Sequence, residues 1–276
     1  MERSAAGVAT RRPAESDTHD DAPETVDWEG VPVDCAKCPH AAKRDRQPCE
    51  IGHACVQDRY ARRVDRFFRW NPESAEGWLD HPYFEVRAIA ARHASIFRLT
   101  TLMSDPDETV RASVALRLPQ RLLLKLAKDP HREVRIRVAQ RVSPHLLVGL
   151  CNDEDYGVRA WVARRLPPKW LSRMARDPDT QVRLEVARRL EPALLGQLAS
   201  DESLLVRRTV AERAGVALLA CLAKDEAWEV RWEVAHRVGG ALAEQLAEDV
   251  EEEVRTAALV RLAALRRSDP PEGSRP

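Results

Sequence analysis

The 276-residue sequence has no excess of charge of either sign, because 44 Lys and Arg are matched by 44 Asp and Glu. Without a net field, broad electrostatic capture of nucleic acid or anionic lipid is disfavoured, and neither is an expected partner. Aromatic residues are scarce, at 5%, and Ala, Val and Leu supply most of the apolar content. That balance argues against one large core and suits amphipathic helices with small apolar stripes. No apolar run reaches the roughly 18 to 20 residues of a membrane span. The opening stretch MERSAAGVATRRPAESDTHD lacks the apolar centre of a secretory signal, so the expected location is the cytoplasm. Also missing are a glycine-rich phosphate loop, a nucleophile elbow and any set of His recurring in register. No catalytic residue is singled out and the expectation is a protein that is not an enzyme.

What the sequence does contain is a repeat. A Val-Arg pair recurs at Val86, Val110, Val134, Val158, Val182, Val206, Val230 and Val254, each interval being 24 residues. Self-similarity this strict predicts a linear stack of one structural unit. Five positions before each Val from Val110 onward stands an Asp, at 105, 129, 153, 177, 201, 225 and 249, followed by Pro at 106, 130 and 178. Asp as N-cap with Pro at the first helical position predicts a helix start there. Apolar residues then fall at the Val and four, five and eight positions later, for example Val110, Val114, Ala115 and Leu118, which places them on one helical face. Pro119, Pro167, Gly215 and Gly239 end this helix. A second set, such as Leu122, Leu123, Leu126 and Ala127, predicts a shorter helix with room for 3₁₀ geometry.

The fold class expected is therefore all-α, a right-handed helical-repeat solenoid of 24-residue units. Two Arg columns run along it. One is the Arg of each Val-Arg pair; the other comprises Arg117, Arg141, Arg165, Arg189, Arg213, Arg237 and Arg261. Both are expected to pair with the Asp column of their own or the next unit rather than to read phosphate.

Of six cysteines, Cys35, Cys38, Cys49 and Cys55 cluster near the N-terminus, whereas Cys151 and Cys221 are isolated. A secreted disulfide framework spreads its cysteines through the fold, so this cluster points to metal. The pattern Cys35-x2-Cys38-x10-Cys49-x5-Cys55 offers four thiolates, and spacing alone leaves Zn²⁺ and an iron–sulfur cluster open. His40 and His53 are alternative ligands, but with four cysteines present they are better read as polar neighbours. Val56, Tyr60, Val64 and Phe67 draw an apolar stripe flanked by Arg59, Arg62, Arg63, Arg66 and Arg69, a helix expected to cap the first repeat.

The string Asp-Pro-x-x-x-Val-Arg-x-x-Val-Ala-x-Arg-Leu-Pro, seen nearly whole at 105–119 and 177–190, resembles the leucine-rich repeat variant family. The resemblance spans about 73–265 for the repeats and 28–70 for the cysteine module. It implies alternating α and 3₁₀ helices in two layers and an N-terminal 4Fe-4S cluster held by Cys35, Cys38, Cys49 and Cys55. Zn²⁺ is the alternative. Expected boundaries are a disordered tail over 1–27, the four-Cys module with its capping helix over 28–72, about eight repeats over 73–268, and a tail over 269–276. The expected role is a cluster-carrying scaffold that binds a protein partner and responds to redox state or oxygen. Electron transfer through the cluster and a zinc-stabilised interaction adaptor are the competing readings. Trp161, Trp228 and Trp232 lie on or beside the first-helix face, where they would suit a partner contact.

Overall fold

The computed structural model describes residues 25–46 and 48–268. Most of the tail expected over 1–27 and all of that over 269–276 lie outside the described residues. Among the described residues the chain is helical, with no strand and two isolated β-bridges, Val26 to Pro32 and Glu50 to Ala54. It divides into two compact units, one ending at Ser95 and one beginning at Ile96.

The first unit holds two 3₁₀ turns, Cys35–Lys37 and Ala41–Arg46, then helix α1 (Ala61–Trp70), a 3₁₀ segment Pro72–Trp78 and helix α2 (Phe84–His93). The two α-helices and the Pro72–Trp78 segment pack on one another around Val64, Phe67, Phe68, Ala75, Leu79 and Val86. Of the expected stripe Val56, Tyr60, Val64 and Phe67, Tyr60 is exposed and Phe68 is buried in its stead. The cause lies before the helix. Buried Asp58 accepts hydrogen bonds from the Tyr60 amide and from Arg63 Nη1, at 2.8 and 2.9 Å. This turn delays α1 to Ala61, so Val56 and Tyr60 are not in its helical register.

In chain order the second unit contains α3 (Glu108–Ala115), α4 (Gln120–Leu123), α5 (Arg132–Arg141), α6 (Tyr156–Arg165), α7 (Pro168–Leu171), α8 (Thr180–Ala187), α9 (Leu204–Arg213), α10 (Val216–Leu222), α11 (Trp228–Ala235), α12 (Gly240–Leu246) and α13 (Glu252–Ser268). The repeat's longer helices α3, α5, α6, α8, α9, α11 and α13 pack each on the next. Their shared columns supply the core: Val110, Val114, Ala115 and Leu118 are all 0% exposed, as are Val182, Val186, Ala187 and Leu190. A small Ala recurs at the fifth position because the neighbouring helix lies against it at close packing density.

The second layer mixes geometries for a sequence reason. Segments carrying both a Pro start and an internal Gly, Pro144–Leu150 and Pro192–Leu198, are 3₁₀ throughout. Segments rich in Ala and Leu after Gly215 and Gly239, with neither Pro nor a mid-segment Gly, form the α-helices α10 and α12. Ala and Leu are strong helix formers, and Gly costs roughly 0.5–1 kcal/mol in a helix interior.

The first helices begin later than expected. The N-cap position is occupied by Asp107, Asp155 and Asp179, two residues beyond the Asp-Pro column. The column Asp instead closes a turn, its Oδ1 accepting the amide two residues on at 2.9 Å in Asp105, Asp129, Asp153 and Asp177. An Asx turn and an N-cap use the same short acceptor side chain, so sequence alone does not separate them.

Both Arg columns act between units, in opposite directions. The Val-Arg guanidinium reaches forward: Arg159 Nε and Nη2 grip both oxygens of Asp177 at 2.7 and 2.9 Å, while its Nη1 donates to the Asp153 and Glu154 carbonyls. Arg111 to Asp129, Arg135 to Asp153, Arg183 to Asp201, Arg207 to Asp225 and Arg231 to Asp249 repeat the bidentate pair. Burial alone would raise the Asp129 pKa, but the Arg111 bonds override it and hold the carboxyl below its usual value. The second column reaches backward and does not pair with Asp as expected. Arg141 donates to the Ala115 and Leu118 carbonyls at 2.6 and 3.0 Å, Arg165 to Ala139 and Val142, and Arg189 to Ala163 and Leu166. These carbonyls end the preceding unit's first helix, where orphan acceptors and the negative dipole end favour a cation.

Candidate metal centre

Asp34 starts the site by accepting the Ala36 amide at 2.9 Å, which winds Cys35–Lys37 into a 3₁₀ turn and brings Cys35 and Cys38 round one bend. The second pair flanks the Glu50 to Ala54 bridge, placing Cys49 and Cys55 at the two ends of a tight loop. Asn71 anchors this segment, donating through Nδ2 to the Pro48 carbonyl at 2.6 Å and to the Phe67 carbonyl at 2.9 Å. Its Oδ1 accepts from Lys43 Nζ at 2.9 Å, which ties down the turn between the cysteine pairs.

All four are free thiols; Cys49 and Cys55 are buried while Cys35 and Cys38 are half-buried. They share one electrostatic neighbourhood. Burial pushes the Cys49 thiol up, and the charges of Cys38 and Cys35 add to it, opposed by Arg44 and Lys43. Burial likewise pushes Cys55 up to about 12, with Cys49, Asp58 and Cys38 adding to it and a Gln57 amide hydrogen bond acting against. At neutral pH such a thiol is protonated, so binding a metal there would release a proton. Among the described residues, no three His, Cys, Asp or Glu side chains stand close enough together to hold a metal ion. The donor set is nevertheless suited to iron and sulfide. It offers four thiols, and amide N–H groups are aimed at two of the sulfurs: His40 N–H at Cys38 Sγ, 3.4 Å away, and Gln57 N–H at Cys55. Amide donors to ligand sulfurs stabilise thiolate and tune cluster potential.

The histidines have other partners. His40 accepts from Trp78 Nε1 at 3.0 Å through Nε2 and packs on Phe67, and burial lowers its pKa. His53 lies against Arg66, which also donates to the His53 carbonyl at 3.1 Å. Sequence reasoning missed both Trp78 and Asn71, which stand more than 20 residues from His40 and from Pro48, the cysteine-module residues they hold. In the Arg-rich flank of α1, Arg63 pairs with Asp58 and Arg69 with Asp65, leaving Arg59 and Arg62 exposed. Farther on, Trp161 lies under Arg164 at 5.0 Å and Trp232 against His236, whereas Trp228 is exposed. Cys151 is buried in the repeat core and Cys221 is exposed.

A solved structure described as a leucine-rich repeat variant with a novel repetitive protein structural motif matches this fold. Its TM-score is 0.79 at 41% identity, and the match covers 83% of this chain and 99% of that one. The chain belongs to the leucine-rich repeat variant family. The family's repeat matches residues 156–179 and 180–203, and the family described as LRV protein FeS4 cluster matches residues 25–77, the stretch that carries all four clustered cysteines. A Rhodobacter capsulatus protein described as an uncharacterized 27.7 kDa protein in the nifB 3' region is 47% identical over 97 residues. That match takes in 35% of this chain, and the chain spans 40% of that relative's length. This leucine-rich repeat variant chain thus joins a helical repeat scaffold to an iron–sulfur domain. No helix among the described residues is long and apolar enough to cross a membrane.

Proposed function

We propose that Cys35, Cys38, Cys49 and Cys55 hold a 4Fe-4S cluster and that the repeat scaffold presents a protein-binding surface whose affinity follows the state of that cluster. The observation that carries the reading is the shared neighbourhood of four free thiols, two of them accepting amide hydrogen bonds, within the FeS4 cluster stretch. When bound, such a cluster supplies one-electron redox chemistry and sensitivity to oxygen. The chain's own groups do the rest. Asn71 and Lys43 fix the loop between the cysteine pairs, Phe67 and Trp78 seat His40 beside Cys38, and Lys43 and Arg44 supply positive charge that acts on Cys49. A change of cluster charge next to these cations is a local electrostatic switch.

Anaerobic purification with iron, sulfide and zinc analysis tests the cofactor. The expected product is brown, with about four iron and four sulfide per chain and a visible charge-transfer band, and single Cys→Ser variants lose iron. A colourless chain holding one zinc would replace this reading with the zinc-stabilised adaptor. The switch is tested by comparing partner capture by cluster-loaded and cluster-free protein; equal binding would eliminate it. The half-buried Cys35 and Cys38 favour electron transfer as a second reading, since they would place one edge of a cluster near solvent. A reduced cluster that passes no electrons to small redox proteins would count against it.

A further inference from the structure

Five residues after the Val of each Val-Arg pair stands a buried Ala in the repeats from Val110 to Val230: Ala115, Ala139, Ala163, Ala187, Ala211 and Ala235 are 0% exposed. In α13 this position is Leu259, which is 56% exposed, and the adjoining Val260 is 60% exposed. They lie within an ordered stripe. Exposed residues Glu252, Thr256, Leu259, Ala263 and Arg266 follow one another by four, three, four and three, and Glu253, Val260 and Arg267 lie beside them at intervals of seven. This is the spacing of a coiled-coil seam on the face turned away from buried Val254, Ala257 and Ala258. Its middle is apolar, its first turn is acidic at Glu252 and Glu253, and its last turn is basic at Arg266 and Arg267.

That charge order selects an occupant. A second α13 laid antiparallel about a two-fold axis near Leu259 sets the acidic turn of each copy opposite the basic turn of the other and brings the two Leu259 side chains together. Residues 252 and 266 stand seven places on either side of 259, so one rotation satisfies both ion pairs, as an isologous interface requires. Antiparallel alignment also places opposite helix-dipole ends side by side. We propose that the chain forms a two-fold dimer through the exposed face of α13.

Analytical ultracentrifugation of the full chain over a concentration series, under anaerobic reducing conditions, tests this. The expected result is reversible dimerisation, with Leu259→Glu and Arg266→Glu each raising the dissociation constant at least about tenfold through buried like or unpaired charge. The double variant Glu252→Arg, Arg266→Glu exchanges the charges of both pairs and should restore association. Far-UV circular dichroism should be the same for every variant, since the altered side chains are exposed. A chain that stays monomeric to its solubility limit, a dimer indifferent to Leu259→Glu, or a charge-exchanged double variant no better than Arg266→Glu alone would each overturn the proposal.

Discussion

Removing the Asp177 carboxylate should expose how much the forward Arg column contributes. In Asp177→Ala, Arg159 loses two charge-assisted bonds of 2.7 and 2.9 Å, and the turn loses the bond from the Asp179 amide at 2.9 Å. Arg159 Nη1 keeps its two carbonyl acceptors, so the guanidinium stays where it is, buried and without its bidentate partner, with Asp179 and Asp153 acting on it only through charge. Breaking a buried pair from one side costs about 3–5 kcal/mol, mostly because the other charge is stranded. Replacing both, as in Arg159→Met with Asp177→Ala, removes the stranded charge and should cost less than the single Asp177→Ala change. The coupling energy expected from the cycle exceeds about 2 kcal/mol. Urea unfolding of the full chain, followed by circular dichroism, reads these differences as midpoint shifts, with the slope checked for loss of cooperativity along the array. Arg255 provides an internal comparison, since it donates to the Asp249 and Val250 carbonyls and has no bidentate Asp among the described residues. Arg255→Ala should therefore cost about 1–2 kcal/mol. A loss below about 1 kcal/mol for Asp177→Ala, or a double variant that costs the sum of its singles, would refute the account of the ladder.

The backward column is tested by Arg165→Ala, which strips both the Ala139 and Val142 carbonyls of their donor and should cost about 1–3 kcal/mol in the same assay. In acid the sign follows from Asp129 and Asp249, whose folded pKa values lie below the unfolded one. Their contribution is complete above about pH 4, the unfolded Asp value, and declines as pH falls through the folded values; a urea midpoint unchanged between about pH 4 and 2 would contradict this. At the metal centre, Asn71→Ala frees the Pro48 carbonyl and Lys43 and should lower the iron retained after gel filtration, whereas Trp228→Ala, in the other unit, should leave it unchanged.

The repeat is legible because one dipeptide marks every 24-residue unit and the columns around it are apolar. Val110, Val134 and Val158 are buried at the spacing the sequence displays, since a stack of identical units repeats the same burial. The start of each first helix is not legible from the Asp column, because Asp129 and its equivalents serve a turn and the preceding repeat's Arg, and only the neighbouring repeat supplies that Arg. The second Arg column was legible as a ladder but not in its direction. Its acceptors are backbone carbonyls 23 and 26 residues earlier, and every residue carries a carbonyl. Grouping of the four cysteines came from their spacing, whereas His40, Asn71 and Trp78 found their roles through contacts that spacing does not encode.

By itself, then, the sequence determined the period of the stack, the face each of the repeat's first helices buries and the presence of four thiols in one short stretch. Those follow from local chemistry repeated at fixed intervals. Only the tertiary structure decided which carboxylate each guanidinium grips, which carbonyls the second Arg column caps, and which amides point at sulfur. Each of those depends on how closely separate segments approach, and that distance is set by packing between units rather than by order along the chain.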